Sequence, residues 1–182
     1  ILMGFRCTGK SSAGRRLAQR LRLPFYDTDA LVERQSGRTI PQIVAEQGWQ
    51  AFREAECAVI GGLAQGEPCV IALGGGAVLD ARNVECLGQD SFFVWLFAAP
   101  EAIAARMEQD ATGGARRPAL TDDTSVGEIE RIMAKREPTY RRLADLAVDT
   151  TRIGTEIVVE EILGGLPEQM RRNDKTMQGR EA

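Results

Sequence analysis

Apolar residues along this chain come in two arrangements, short unbroken runs and longer stretches of helical spacing. Residues 1–3, 69–73 and 92–96 are continuous apolar runs, the pattern of strands buried on both faces. A shorter strand is predicted from Leu23-Pro24-Phe25-Tyr26 to Asp27, and a last one over residues 146–149. The stretches between them predict helices. Residues 12–21 form the first, and residues 29–35 a second that Ser36-Gly37 stops. A third starts at Thr39-Ile40-Pro41, where a first turn tolerates proline. Gly48 breaks it, and residues 49–63 continue as a longer helix with Phe52, Ala55, Val59 and Leu63 on one face. Residues 100–109 and 155–163 predict two more. Ser125 and Glu128 have capping-box spacing and open a helix that reaches about Glu137, just before Pro138. Residues 110–124 are polar around Gly113-Gly114 and predict a mobile loop. From Pro167 on, a polar and disordered tail is expected.

Strands alternating with helices, with glycines at strand ends, predict an α/β fold: a parallel sheet flanked by helices on both faces. Ligands in such sheets sit at the carboxyl ends of the strands. Gly4-Phe5-Arg6-Cys7-Thr8-Gly9-Lys10-Ser11 follows the first strand and spells G-x-x-x-x-G-K-S. The glycines let backbone N–H groups close on phosphate oxygens. Lys10 supplies a point charge, and the Ser11 hydroxyl can hold Mg²⁺. The helix that follows would turn its positive end to the anion. This is a P-loop, so ATP and Mg²⁺ are the expected co-substrate and ion.

Composition narrows the chemistry. A chain of 182 residues, 43% hydrophobic and 27% charged, is ordinary for one soluble domain. A net charge of −3 argues against a nucleic-acid partner, and no apolar run predicts a membrane span. Cys7, Cys57, Cys69 and Cys86 form no C-x-x-C pair. They read as reduced thiols of a cytoplasmic protein, with Cys57 and Cys69 in the core. The chain has no histidine, which excludes histidine acid–base catalysis. Carboxylates, lysine, arginine, backbone amides and a bound ion must do the work.

Candidates of those types follow strand ends or face a helix. Asp27 and Asp29 close the second strand; Asp27 beside Ser11 can support Mg²⁺, and Asp29 can take a proton from a substrate hydroxyl. The alternative is that Asp27 or Asp29 caps the next helix. Arg53 and Glu56 have the spacing of a surface ion pair, yet Arg53 can also grip an anion through its planar fork. Gly74-Gly75-Gly76 admits a ligand to the backbone, or makes a tight turn. Arg116 and Arg117 close the polar loop, where one can reach the transferring phosphoryl group or remain solvated. Arg136 ends its predicted helix, over a cleft or merely favouring the helix dipole.

The segments G-F-R-C-T-G-K-S-S, F-Y-D-T-D, A-F-R-E-A-E, L-G-G-G-A-V, R-R-P-A-L and K-R-E-P-T-Y-R-R-L-A-D resemble, in order and spacing, the successive blocks of the shikimate kinases. The likeness runs from Leu2 to about Leu163. It implies ATP-dependent phosphorylation of the 3-hydroxyl of shikimate in aromatic amino-acid biosynthesis, by a monomer. A P-loop kinase of gluconate or a nucleoside monophosphate shares the first motif but does not require D-T-D, F-R and G-G-G in this order, and a non-catalytic ATP-binding protein has no need of Lys10, Ser11, Asp27, Asp29 and Arg117 together. The resemblance also implies an organisation: a kinase domain over residues 1–166, acceptor-binding helices at about 28–64, a lid at about 110–124, and a tail over 167–182. Carried over by position, Cys7, Thr8, Gly9, Lys10, Ser11 and Ser12 hold the nucleotide phosphates, and Ser11 and Asp27 the metal. Asp29 acts on the reacting hydroxyl as base or orienter. Arg53 and Arg136 hold the shikimate carboxylate, with Gly74, Gly75 and Gly76 at the ring. Arg117 reaches ATP from the lid, while Arg106 and Arg152 flank the adenine. Cys7 departs from the family, which usually has a small residue there, often glycine. Residues A-T-G-G-A before Arg116 look like a short insertion.

Overall fold

Adjacent apolar residues of the strands point to opposite faces of one sheet, which is why the strand runs read as unbroken. In the computed structural model, which describes residues 1–88, 90–109 and 126–171, five strands pair in parallel. They are β1 (Leu2–Met3), β2 (Phe25–Asp27), β3 (Val70–Ala72), β4 (Val94–Phe97) and β5 (Leu146–Asp149), in the order β2-β3-β1-β4-β5. Leu2 of the central strand lies in register with Ala72 on one side and Val94 on the other. Leu2, Val70, Val94, Leu96 and Val148 join one core. Their neighbours Met3, Ile71 and Trp95 join another on the opposite face. The period of two along a strand separates the two sets.

Helices cover both faces. Helix α1 (Lys10–Leu21) and helix α7 (Thr155–Gly165) bury Leu17, Ala18, Val159 and Ile162 in the first core. Helices α3 (Ile40–Ala64), α4 (Ala81–Leu87) and α6 (Val126–Leu143) supply Ile60, Leu87 and Tyr140 to the second. Helix α2 (Thr28–Ser36) and α3 form a satellite core of Val32, Ile40, Ile43, Phe52 and Val59. Helix α5 (Pro100–Gln109) buries Ile103 against Phe5 and Ile129. Among the described residues, no helix is long and apolar enough to cross a membrane.

Most predicted elements are present within a residue or two. Thr39 and Gln42 form a reciprocal cap at the start of α3, and Gly48 bends that helix at φ 81. Four expectations need correction or lie elsewhere. Helix α6 does not end before Pro138 but continues to Leu143. A proline inside a helix costs about 3 kcal/mol. Here Tyr140, 3% exposed and stacked on Trp95, anchors the turn beyond it. Residues 168–171, read as the start of a disordered tail, form a one-turn helix α8 (Glu168–Arg171). Cys57 and Cys69 are half-buried rather than core, because Cys57 faces the surface network of Asp80, to whose carboxylate its thiol donates at 3.5 Å. The expected lid, with Arg116, Arg117 and the Ser125 cap, and residues 172–182 lie outside the described residues.

One glycine is fixed by the sheet itself. Gly4 stands at φ +142, and a Cβ there would lie 2.1 Å from the Leu96 backbone oxygen. Strand backbone cannot yield as a flexible side chain can. Gly4→Ala is therefore expected to lose about 3 kcal/mol of stability through strain and overpacking, seen as a lower urea midpoint. A midpoint within error of the wild type would mean that the β1–α1 connection relaxes freely.

Candidate active site

The loop from Gly4 to Gly9 links the central strand to α1 at the carboxyl end of the sheet. Cys7 at φ 59 and Gly9 at φ 90 are left-handed, on either side of Thr8. Such alternation makes a concave row of N–H groups that suits an anion. It also explains why a glycine is the natural occupant of position 7: a side chain costs about 1–2 kcal/mol in that conformation. The loop is tied down from inside. Buried Thr8 donates its hydroxyl to the Phe5 carbonyl at 2.8 Å, and the Lys10 ammonium donates to the same oxygen at 2.6 Å. From outside, Thr150 donates to the Thr8 carbonyl at 3.2 Å. The Arg106 guanidinium donates to Cys7 and Thr150 oxygens at 3.2 Å each, bracing the loop against the turn after β5. Arg152 lies exposed on that turn, and Ser12 is exposed in the first turn of α1.

Asp27 caps the next helix and also stands beside Ser11. Its Oδ1 caps α2, accepting from the Asp29 and Ala30 amides at 3.1 and 3.3 Å. Its Oδ2 accepts from the Ser11 hydroxyl at 2.5 Å. The residue between the two aspartates has its own task, which the sequence did not disclose. Fully buried Thr28 accepts from the Gly74 amide through its hydroxyl at 2.9 Å, fixing the triple glycine to the start of α2.

Asp29, Arg53, Gly74, Gly75, Gly76 and Arg136 line one cleft. A side chain at Gly74 or Gly76 would crowd charged groups there. A Cβ on Gly74 would lie 2.5 Å from Glu56 Oε1 and 2.7 Å from Asp29 Oδ1, and one on Gly76 would lie 2.6 Å from Arg53 Nη2. Gly75 offers its carbonyl to Arg136 Nη1 at 3.2 Å and to the Tyr140 hydroxyl. Gly74→Ala is thus expected to fold, since side-chain ends can move aside, but to lower kcat about tenfold by displacing both carboxylates. Steady-state rates beside a thermal melt will check this; an unchanged kcat would free the Gly74 wall of any positioning role.

Arg53 pairs with a buried Glu56, not on the surface, and also lines the cleft. Its Nη1 pairs with Glu56 Oε2 at 2.6 Å, while the guanidinium lies over the rings of Phe52 and Trp49 at the cleft wall. Glu56 is fully buried, and its Oε1 has no hydrogen-bond partner among the described residues. Burial pushes the Glu56 carboxyl above its ordinary pKa, with Arg53 pulling the other way. Arg136 sits inside α6 rather than at its end, so the helix-dipole reading of that residue is overturned. Sequence reasoning missed Arg6, Ile40 and Trp49 as cleft-lining residues and Tyr140 as a support. Only the place of Arg6 within the P-loop motif hinted at any of them.

The shikimate kinase family profile matches residues 6–166. A shikimate kinase of Syntrophus aciditrophicus is 43% identical over 171 residues, covering 90% of this chain and 88% of that protein. One of Rhodopirellula baltica is 37% identical over 173 residues, covering 95% and 92%. The structure of shikimate kinase from Acinetobacter baumannii in complex with shikimate superposes with a TM-score of 0.80 at 30% identity, covering 89% of this chain and 88% of that one. A gluconokinase from Sinorhizobium meliloti shares the fold alone, with a TM-score of 0.57 at 23% identity and coverage of 90% and 88%. The match spans nearly all the described residues, from the phosphate loop to the end of α7, and this chain belongs to the shikimate kinase family.

Proposed function

We infer that this chain transfers the γ-phosphoryl group of ATP to the 3-hydroxyl of shikimate, giving shikimate 3-phosphate and ADP for aromatic amino-acid biosynthesis. The observation that carries the reading is one cleft, beside the phosphate loop, lined by the carboxylates of Asp29 and Glu56 and the guanidinium groups of Arg6, Arg53 and Arg136. Phosphoryl transfer asks chiefly for positioning and charge neutralisation. A hydroxylated acid asks in addition for an anion clamp, which Arg53 and Arg136 supply.

The backbone of residues 7–9 with Lys10, Ser11 and Ser12 would hold the phosphates. Arg106 and Arg152 flank the adenine side, and Arg117 is assigned to the transferring phosphoryl group. Asp29 stands on the first turn of α2 and lines the cleft. It would accept the hydroxyl proton as the oxygen attacks the γ-phosphorus and ADP departs. The Gly74–Gly76 backbone would bound the ring. As such a kinase it would act as a monomer, on small molecules of the cytoplasm. Ser11 and Asp27 are hard oxygen donors side by side at the phosphate loop, a pairing that fits Mg²⁺. When bound, Mg²⁺ neutralises charge on the phosphate oxygens.

The test is ADP release with ATP and Mg²⁺ in the presence of shikimate, gluconate or a nucleoside monophosphate. Turnover with shikimate alone is expected. Faster turnover with either of the other acceptors would overturn the assignment.

A further inference from the structure

Two arginines suffice to clamp one carboxylate, yet three line the acceptor cleft. The third, Arg6, belongs to the phosphate loop and shares the cleft wall with Asp29, Arg53 and Arg136. The Arg6 backbone and the Arg136 guanidinium both border Gly75. A Cβ on that glycine would lie 3.6 Å from the Arg6 backbone nitrogen and 3.5 Å from Arg136 Nη1. Both guanidinium groups lie over the buried Phe5 ring, at 5.9 and 5.6 Å.

A structural arginine in such a place would be paired, as Arg53 is with Glu56 at 2.6 Å. The Arg6 Nε is instead buried with no hydrogen-bond partner among the described residues. Burial is also the main influence lowering its pKa. The charges of Cys7 and Glu128 act against that, and Arg136 adds to it. A desolvated donor left unpaired costs free energy in the empty protein, and an anionic ligand recovers it. The position matches that need: Arg6 stands at the seam between the loop that grips the donor phosphates and the cleft that receives the acceptor.

We propose that Arg6 is an anion-binding and specificity-determining residue of the acceptor site, donating to an anionic oxygen of the bound molecule. That oxygen belongs either to the carboxylate of the incoming acid or to the phosphoryl group it has just received. The proposal rests on the shikimate kinase reading of the cleft. It adds that this chain holds its acceptor with three guanidinium groups and discriminates against uncharged analogues accordingly.

Arg6→Met keeps the length of the side chain and removes fork and charge. Its dissociation constants for shikimate and for shikimate 3-phosphate, measured by calorimetry on the full chain, are compared with those of the wild type. A charge-assisted bond to a ligand predicts weakening of about ten- to a hundredfold, with the KM for ATP little changed and the melting temperature equal or higher. Equal weakening for both ligands assigns Arg6 to the carboxylate. Weakening confined to shikimate 3-phosphate assigns it to the transferred group. Wild-type values for both overturn the proposal. Arg6→Gln gives the same readout should the methionine variant fold poorly. If the wild type itself releases no ADP in response to shikimate, the function reading falls; if it does and the variants bind as it does, only the role of Arg6 falls.

Discussion

Asp29→Asn is expected to lower kcat about a thousandfold, the middle of the range for loss of a general base, with ATP affinity within a few-fold of the wild type. Asparagine keeps the size of the side chain and one carbonyl acceptor, so the cleft retains its shape. What disappears is the ability to take the hydroxyl proton. Asp27, not Asp29, makes the cap on α2 and the contact to Ser11, so the nucleotide side remains intact. Asp29→Ala separates the two duties of the residue. If proton transfer dominates, both variants fall alike. If alignment of the hydroxyl dominates, the asparagine variant retains much more rate than the alanine one. Stopped or steady-state ADP release, with nucleotide binding measured alongside, decides it; unchanged turnover in Asp29→Asn would remove the residue from the chemistry.

Arg53→Ala should act on two quantities together. The KM for shikimate is expected to rise about a hundredfold, from the loss of a forked, charge-assisted contact, while the KM for ATP changes little. Equal effects on both constants would make Arg53 structural. Stability should fall as well, by about 2 kcal/mol. This is less than the ~3–5 kcal/mol for breaking a fully buried pair, because the Arg53 side chain is 30% exposed while that of Glu56 is 1% exposed. The pH dependence of that loss has a definite sign. Burial already raises the Glu56 pKa in the folded state, so the folded chain binds the proton more tightly than the unfolded one. Stability tied to Glu56 is therefore fully present below the ordinary carboxylate pKa and is lost as pH rises through the raised folded value. Without Arg53 the folded value rises further, and the variant should recover more of its stability than the wild type on acidification. Urea titrations across the acid range would show the two curves converging; parallel curves would mean that the pair carries no linkage.

The sheet was legible because each buried strand carries its signal within a few adjacent residues. The runs around Ile71 and Trp95 need no partner to be recognised. Helix α6 was not fully legible, because the reason it passes Pro138 lies far away in sequence. Tyr140 finds Trp95 and the Gly75 carbonyl only after the chain has folded. The site divides in the same way. The phosphate loop, the two aspartates, the triple glycine and Arg53 are motif positions that a reader can find by spacing. Whether Asp27 caps or serves Ser11 was undecidable from spacing, and the folded chain answers that each oxygen does one of the two. Thr28 and Arg6 stood in plain sight inside motifs. A hydroxyl between two carboxylates and a variable loop position carry no local mark of the group they meet.

The satellite core beneath the acceptor cleft has an evolutionary consequence. Ile40 and Phe52 line the cleft and also pack with Val32, Ile43 and Val59, away from the two clusters that hold the sheet. Leu63, at the far end of α3, is the residue shared with the sheet-side core. A lineage can therefore reshape what the cleft accepts by repacking a handful of side chains, while the nucleotide machinery inherits an undisturbed scaffold. Selection for a new acceptor then falls on a cluster apart from the two that hold the sheet.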